Sequence, residues 1–318
     1  MKVAVIGVGI MGNNHARIYS EISELVAVSD INENIGKKIS EKFKCKYYKD
    51  YKEMLKKEKL DAVSIVVPTT HHKQVALDVI EYKIPFLLEK PIADNVKSAE
   101  EIIDKAKENN VKFMVGHIER FNPAVIKLKE ILDNFELGEI SSIITRRVGV
   151  IPPKIKDTNV IIDLAVHDID IFNYLLNKKP TKFYGSLGNA LVKNGDYADL
   201  LLKYGNTNTF IQVNWITPIK IRLLNITGSR GYAELNYITQ ELDVYKSNYA
   251  KDYDDFGDFV IKFGKPTKIN MEIKKEEPLK NELQTFLDCI KNNKEFPIKN
   301  NDALDALKIA LELSNNKD

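Results

Sequence analysis

The first 118 residues alternate between two hydrophobic periods. "KVAVIGVG", "ELVAVSD", "DAVSIVVP", "PFLLEKP" and "KFMVGH" are short, nearly continuous apolar runs, the signature of strands buried on both faces. Between them lie segments with helical spacing: "MGNNHARIYSEI", 33–43, 50–58, "HHKQVALDVIEYK" and "NVKSAEEIIDKAKENN". "KCKYY" adds a short strand. Alternating strand and helix predicts a parallel sheet covered on both sides, a doubly wound Rossmann-type layout with right-handed crossovers. Beyond about residue 119 the pattern changes. A helix is expected at 123–133, then strands at "SSIITRRVGV", "TKFYGSLGNAL", "YADLLLKY", "TNTFIQVNWI", "KIRLLNITG" and "GYAELNY", separated by turn signals at "KNGD", "GNTN", "ITP" and "GSRG". In "TFIQVNWI", Ile211, Val213 and Trp215 alternate with Gln212 and Asn214, so one face is buried. Helices near 279–292 and 302–314 close the chain. The segment 247–265, rich in Asp and aromatics, reads as an exposed hairpin or loop.

The expected fold is therefore α/β: a Rossmann-type domain over residues 1–119, then an α+β domain over 120–318 with a large, mostly antiparallel sheet. A single larger α/β domain is the alternative, and the shift in composition near residue 120 speaks against it. At 318 residues, two domains of ordinary size also fit the length. A net charge of +2 argues against a dedicated nucleic-acid binder. No apolar run approaches the ~18 residues of a membrane span. The N-terminal apolar stretch is broken by three glycines and followed by no cleavage pattern, so it does not read as a signal peptide. Cys45 and Cys289 are too few for a disulfide framework or a zinc site, and reduced thiols in a cytoplasmic protein are expected.

Chemistry enters at four places. "GVGIMG" places Gly7, Gly9 and Gly12 directly after a strand, with Ile10 and Met11 opening a helix. Glycines so spaced permit the tight turn and let a pyrophosphate approach the backbone at the helix N-terminus. Asp30 ends the second strand, where an acid bonds ribose hydroxyls and opposes a 2′-phosphate; NAD is expected over NADP. "VVPTTHH" and "LLEKPI" end further strands, the edge where open α/β sheets bind ligands. Pro68, Thr69 and His72, then Glu89 and Lys90, are thus candidate cofactor contacts. Thr70 reads equally well as a helix cap. "VGHIERFNPA" leaves the last strand with His117, Arg120 and Asn122. "IIDLAVHDIDIF" is an apolar helix interrupted by Asp163, His167 and Asp170. At about 100° per residue these three fall within roughly 60° of one another on one face.

These motifs, in this order and spacing, resemble the Gfo/Idh/MocA family of sugar and polyol dehydrogenases, and the C-terminal "LQTFLDCIKNNKEFPIKNNDALDALKIALELS" is similar too. "VPTTHH", "GHIERFNPA" and "DLAVHDIDIF" together resemble the branch that oxidises the 3-hydroxyl of UDP-N-acetylglucosamine to a ketone, for amino-sugar synthesis. The resemblance places the family's Glu-Lys-Pro lysine at Lys90 and its D-x-x-x-H pair at Asp163 and His167. It departs from the family at Thr158-Asn159-Val160, where many members carry two glycines before that Asp.

Oxidising a secondary alcohol needs a base and a hydride acceptor. A histidine's ordinary pKa near 6.5 suits His167 to the first task; Lys90 then positions the hydroxyl and stabilises developing alkoxide charge. The two roles are exchangeable at this stage. Asp163 binds a sugar hydroxyl or orients the imidazole, and Asp170 supports it. Arg120, Arg146 and Arg147 are candidates for a diphosphate, with Arg120, Asn122, Arg147, Asp163 and His167 taken as substrate contacts. Alternatives are a dehydrogenase of a free sugar, inositol or other polyol, and a non-catalytic sensor of NAD or sugar. Asp163 and His167 as metal ligands lack a third partner in the sequence, so no metal is expected. An exposed apolar sheet face predicts a homo-oligomer, dimer or tetramer.

Overall fold

The computed structural model describes residues 1–150, 158–253, 256 and 259–315. The chain forms two compact units, one of Met1–Phe121 with Glu277–Lys308, the other of Asn122–Glu276 with the chain from Ile309.

The first unit alternates strand and helix: β1 (Lys2–Ile6), α1 (Ile10–Ile22), β2 (Glu24–Ser29), α2 (Glu33–Phe43), β3 (Lys46–Tyr48), α3 (Tyr51–Lys57), β4 (Ala62–Ile65), α4 (His72–Glu81), β5 (Phe86–Glu89), α5 (Val96–Glu108) and β6 (Phe113–Gly116). The strands form one parallel sheet in the order β3-β2-β1-β4-β5-β6. The order reverses direction beside β1, so the loops after β1 and β4 open at the switch point where such sheets bind ligands. β4, β5 and β6 are buried at every position, as continuous apolar runs require.

The second unit opens with α6 (Pro123–Asp133), β7 (Ile140–Val150) and α7 (Val166–Leu176), followed by β8 (Lys182–Gly188), β9 (Tyr197–Tyr204), β10 (Thr207–Asn214), β11 (Ile216–Gly228), β12 (Gly231–Asn236) and β13 (Glu241–Lys246). A separate antiparallel pair, β14 (Tyr249–Tyr253) and β15 (Phe259–Phe263), occupies the Asp- and aromatic-rich segment; β16 (Thr267–Asn270) rejoins the main sheet. That sheet has eight strands in the order β16-β13-β12-β11-β7-β10-β9-β8, antiparallel except for the β7–β10 pair. One face is apolar and covered, with Ile143, Ile211, Val213, Leu224 and Ile226 buried. The turn expected at "ITP" is instead strand. β11 runs through Thr217 and Pro218 and absorbs them in a register break between Ile216 and Ile221. Pro tolerates such a bulge because it needs no ladder N–H there.

The last helices are α8 (Pro278–Lys291) and α9 (Asn300–Asn315). Both helices lie in the span expected for the second domain, 120–318, but residues 277–308 complete the first unit. Leu279, Leu283, Phe286 and Leu287 form one apolar face of α8, and it joins Val5, Ala16, Tyr19, Leu87 and Met114 in a single core. Among the described residues, no helix is long and apolar enough to cross a membrane.

Candidate functional site

The loop after β1 shows why three glycines stand there. Gly7 has φ +86°, and a Cβ on it would lie 2.5 Å from the Val66 carbonyl oxygen. A Cβ on Gly12 would lie 1.9 Å from the Gly7 carbonyl oxygen. Both are therefore demanded by the protein itself. Gly9 differs: a Cβ there meets nothing within 4 Å among the described residues. It caps α1 without any side-chain bond, so no side chain answers the first amides of the helix at the cap. The Asp30 carboxylate is fixed beside this loop, accepting from the Val8 amide at 2.9 Å and the Asn32 amide at 2.8 Å. Ile10, at the start of α1, and Ile31, directly after Asp30, are 79% and 84% exposed. These features fit a dinucleotide. Gly9 and the helix N-terminus suit a pyrophosphate, Asp30 the ribose hydroxyls, and the two isoleucines the flat faces of a base. Ile31 was not singled out from the sequence. An apolar residue directly after a strand-ending acid was the available signal.

The loop after β4 begins with exposed Pro68 and half-buried Thr69, which open a 3-10 turn, Thr69–His71. α4 starts without a side-chain cap, so the cap reading of Thr70 has no support. His72 is buried, with Nδ1 2.9 Å from the Pro91 carbonyl and Nε2 3.0 Å from that of Val67. Burial holds its pKa below the ordinary histidine value, against the pull of those carbonyls. It braces the β4 and β5 loops against each other instead of presenting a ring nitrogen to a ligand. Glu89 is likewise buried at the end of β5. Its Oε1 lies 2.9 Å from His15 Nε2, and its Oε2 accepts from the Lys90 amide at 3.2 Å. Burial alone would raise this carboxyl. The bond and charge of His15, then the charge of Lys90, outweigh it and hold the group ionised. Lys90, half-buried, follows directly and precedes a cis Pro91.

Three candidate substrate contacts are engaged inside the protein. Arg120 is buried and donates to Asp302 at 3.1 Å. Asn122 caps α6 through the Ala124 amide and donates to the Tyr237 carbonyl at 3.0 Å. Arg147 makes a bidentate bond to Asp168, with Nε and Nη2 each at 3.0 Å, and its guanidinium stacks 5.0 Å from the Tyr237 ring. Arg147 sits on the covered face of β7, whereas Arg146 points to the open face. A diphosphate would have to break these pairs to reach Arg120 or Arg147, at the cost of stranding Asp302 or buried Asp168. Asp168 lies off the stripe drawn through Asp163, His167 and Asp170, so that pattern does not mark it.

That stripe also changes in the structure. Ile161–Ala165 is a π-helical turn that runs into α7. The wider turn alters the angular spacing assumed for a regular helix, and π turns often mark functional positions. Asp163 and His167 are partly exposed, while Asp170 is buried. Asp170 thus does not share their exposed surface. Asn159 starts the turn: its Oδ1 accepts from the Ile161 and Ile162 amides, and its side chain bonds Ser314. An Asn cap therefore occupies the segment where the family's glycines are absent. The loop before it, residues 151–157, lies outside the described residues.

A parallel sheet with an open glycine loop and an acid at the end of β2 fits a dinucleotide-binding domain. Residues 1–117 match the family described as "Oxidoreductase family, NAD-binding Rossmann fold", and residues 125–234 match the "GFO/IDH/MocA C-terminal domain". The chain belongs to the Gfo/Idh/MocA family, and its cofactor is NAD. The class is an NAD-dependent dehydrogenase acting on the CH–OH of a sugar or polyol. The chain is 28% identical over 246 residues to a UDP-N-acetylglucosamine 3-dehydrogenase of Acidithiobacillus ferrooxidans, covering 77% of each. It is 26% identical over 332 residues to a scyllo-inositol 2-dehydrogenase (NAD(+)) of Bacillus subtilis, covering 99% of this chain and 93% of that one. The solved A. ferrooxidans structure has a TM-score of 0.87 at 24% identity, covering 99% of this chain and 96% of that one. A likeness at that identity shows the fold.

Proposed function

We propose that this protein oxidises the 3-hydroxyl of UDP-N-acetylglucosamine to a ketone. The carrying observation is the motif set with its half-exposed Lys90, Asp163 and His167, joined to the 77% coverage by the A. ferrooxidans enzyme. The alcohol gives up a proton from oxygen and a hydride from carbon. When bound, NAD supplies the hydride acceptor. His167 takes the proton, since an imidazole is a competent base near neutral pH. Lys90 holds the hydroxyl oxygen and stabilises its developing negative charge. Asp163, four residues before His167, binds a neighbouring hydroxyl or steers the ring.

A polyol substrate is the second reading. It is favoured by the internal pairing of Arg120 and Arg147, and by the inositol dehydrogenase that covers 99% of the chain. Purified protein with NAD, a ketone trap and a panel of UDP-N-acetylglucosamine, UDP-glucose, glucose and myo-inositol separates them by NADH absorbance. NADH only with the first supports the leading reading. NADH with inositol or glucose overturns it for the second, and silence with NAD bound returns the sensor. Lys90→Ala and His167→Ala should each lose about 10²–10⁴ in kcat with NAD binding kept.

The open face of the large sheet also supports a homo-oligomer. Tyr184, Leu201, Phe210 and Ile144 stand in register across four strands, mostly exposed. Light scattering on Phe210→Glu checks this: a wild-type chain that is already monomeric sinks it.

A further inference from the structure

Helix α8 carries one residue that its surroundings do not explain. Glu282 stands among buried Leu279, Leu283 and Phe286. It is 0% exposed, and neither carboxyl oxygen has a hydrogen-bond partner among the described residues. Burial, then the charge of Glu89, push its pKa well above the usual carboxylate range, which favours the protonated form. A leucine there would complete the apolar face and lift the cost of an unsatisfied polar group. A costly group inside a core is expected where function requires it.

Its neighbours point to that function. Glu282 interacts electrostatically with Glu89 and Tyr19. Glu89 holds His15 on one oxygen and the Lys90 amide on the other. The Tyr19 hydroxyl meets Ser64 at 2.8 Å, and the His15 and Tyr19 rings meet edge-on at 6.4 Å. His72, on α4, feels the charge of Glu89 as well. Groups from α1, β4, β5, α4 and α8 thus surround the strand end that carries Lys90. His15 Nδ1 is a further buried atom with no hydrogen-bond partner.

We propose that Glu282 is a positioning residue for Lys90: its buried carboxyl supports the Glu89–His15 pair through an internal water, and that pair holds the turn presenting the lysine. Two adjacent buried carboxyls cannot both ionise cheaply. Keeping the proton on Glu282 leaves the negative charge on Glu89, beside Lys90. The role of Lys90 in turnover rests on the function proposed above; the support of its turn does not.

The test needs no substrate. The full-length chain is labelled at Lys90 with acetic anhydride across a pH series and read by mass spectrometry. Wild type is compared with Glu282→Leu and Glu282→Gln. The leucine variant should melt higher and show Lys90 reacting at lower pH, because Glu89 in drier surroundings ionises less and the ammonium loses its anionic neighbour. Glutamine can still donate to that water and should restore the wild-type profile. With a sugar that gives NADH, Glu282→Leu should lower kcat about tenfold or more, the scale of a slightly misplaced catalytic group, with the KM for NAD little changed. An unshifted labelling profile in the leucine variant, at higher or lower melting temperature, overturns the proposal. If leucine prevents folding, Glu282→Met takes its place under the same criterion. A labelling shift combined with normal turnover by Lys90→Ala would remove the lysine from catalysis and leave the support intact.

Discussion

In the second unit, buried Arg147 meets buried Asp168 through two bonds of 3.0 Å, with Tyr237 stacked on the guanidinium. In the first unit, buried Glu89 has His15 on one oxygen and an amide on the other, while Glu282 has no hydrogen-bond partner among the described residues. Both clusters carry charge into a core. One is closed, with every charge answered by a rigid, geometrically matched partner. The other keeps a surplus acid next to the turn that bears Lys90. Satisfied charge fixes the helix of Asp163 and His167 to its sheet. The unpartnered acid is a group whose ionisation still responds to its surroundings.

The largest effect expected from this contrast is at the closed cluster. Asp168→Ala strands the Arg147 guanidinium and should cost about 3–5 kcal/mol in urea unfolding. Replacing both partners, Arg147→Met with Asp168→Leu, should recover most of it, and a double variant as weak as the single one would refute the assignment. Next comes Asp196, buried under the amides of Leu191, Ala190 and Val192. Burial would raise this carboxyl, but those amides win and hold it low. Its contribution is therefore present above the ordinary carboxylate range and disappears as the pH falls through its depressed value. Asp196→Ala should cost about 1–3 kcal/mol near neutral pH.

Glu282 should show the opposite sign. The unfolded chain loses this proton first, so stability falls as pH rises from the ordinary carboxylate range toward the raised folded value, by at most about 1.4 kcal/mol per pH unit. Melting curves of Glu282→Gln should lack that slope; a slope equal to wild type would place the proton elsewhere. The smallest effect is at the π turn. Asn159→Ala removes a cap and should cost about 1 kcal/mol. Its kcat should fall more than its stability suggests if the turn aims Asp163 and His167.

The strands of the first unit were legible because burial on both faces leaves only apolar residues to write them. The glycine loop was legible because Gly7 and Gly12 admit no side chain. Asp163 and His167 share partial exposure as the stripe implied. The rest depended on partners distant in sequence. Nothing local to "TRRVG" tells which arginine enters the core; that follows from the register of β7 and from Asp168, 21 residues on. The π turn was hidden because one residue's difference in winding leaves no compositional mark. Asn122 looked like a ligand contact and is a cap, a role its place before Pro123 already permitted.

The closure of the first unit by residues 277–308 has a consequence for how the molecule is made. A ribosome has synthesised all six strands of the parallel sheet long before Leu279, Leu283 and Phe286 emerge. Until then Val5, Ala16 and Tyr19 lack part of their cover, and the nascent domain exposes an apolar surface to the cell. The NAD-binding half, first in the sequence, is thus finished almost last, and a chain truncated after Phe121 would be a client for chaperones instead of a free-standing binding module.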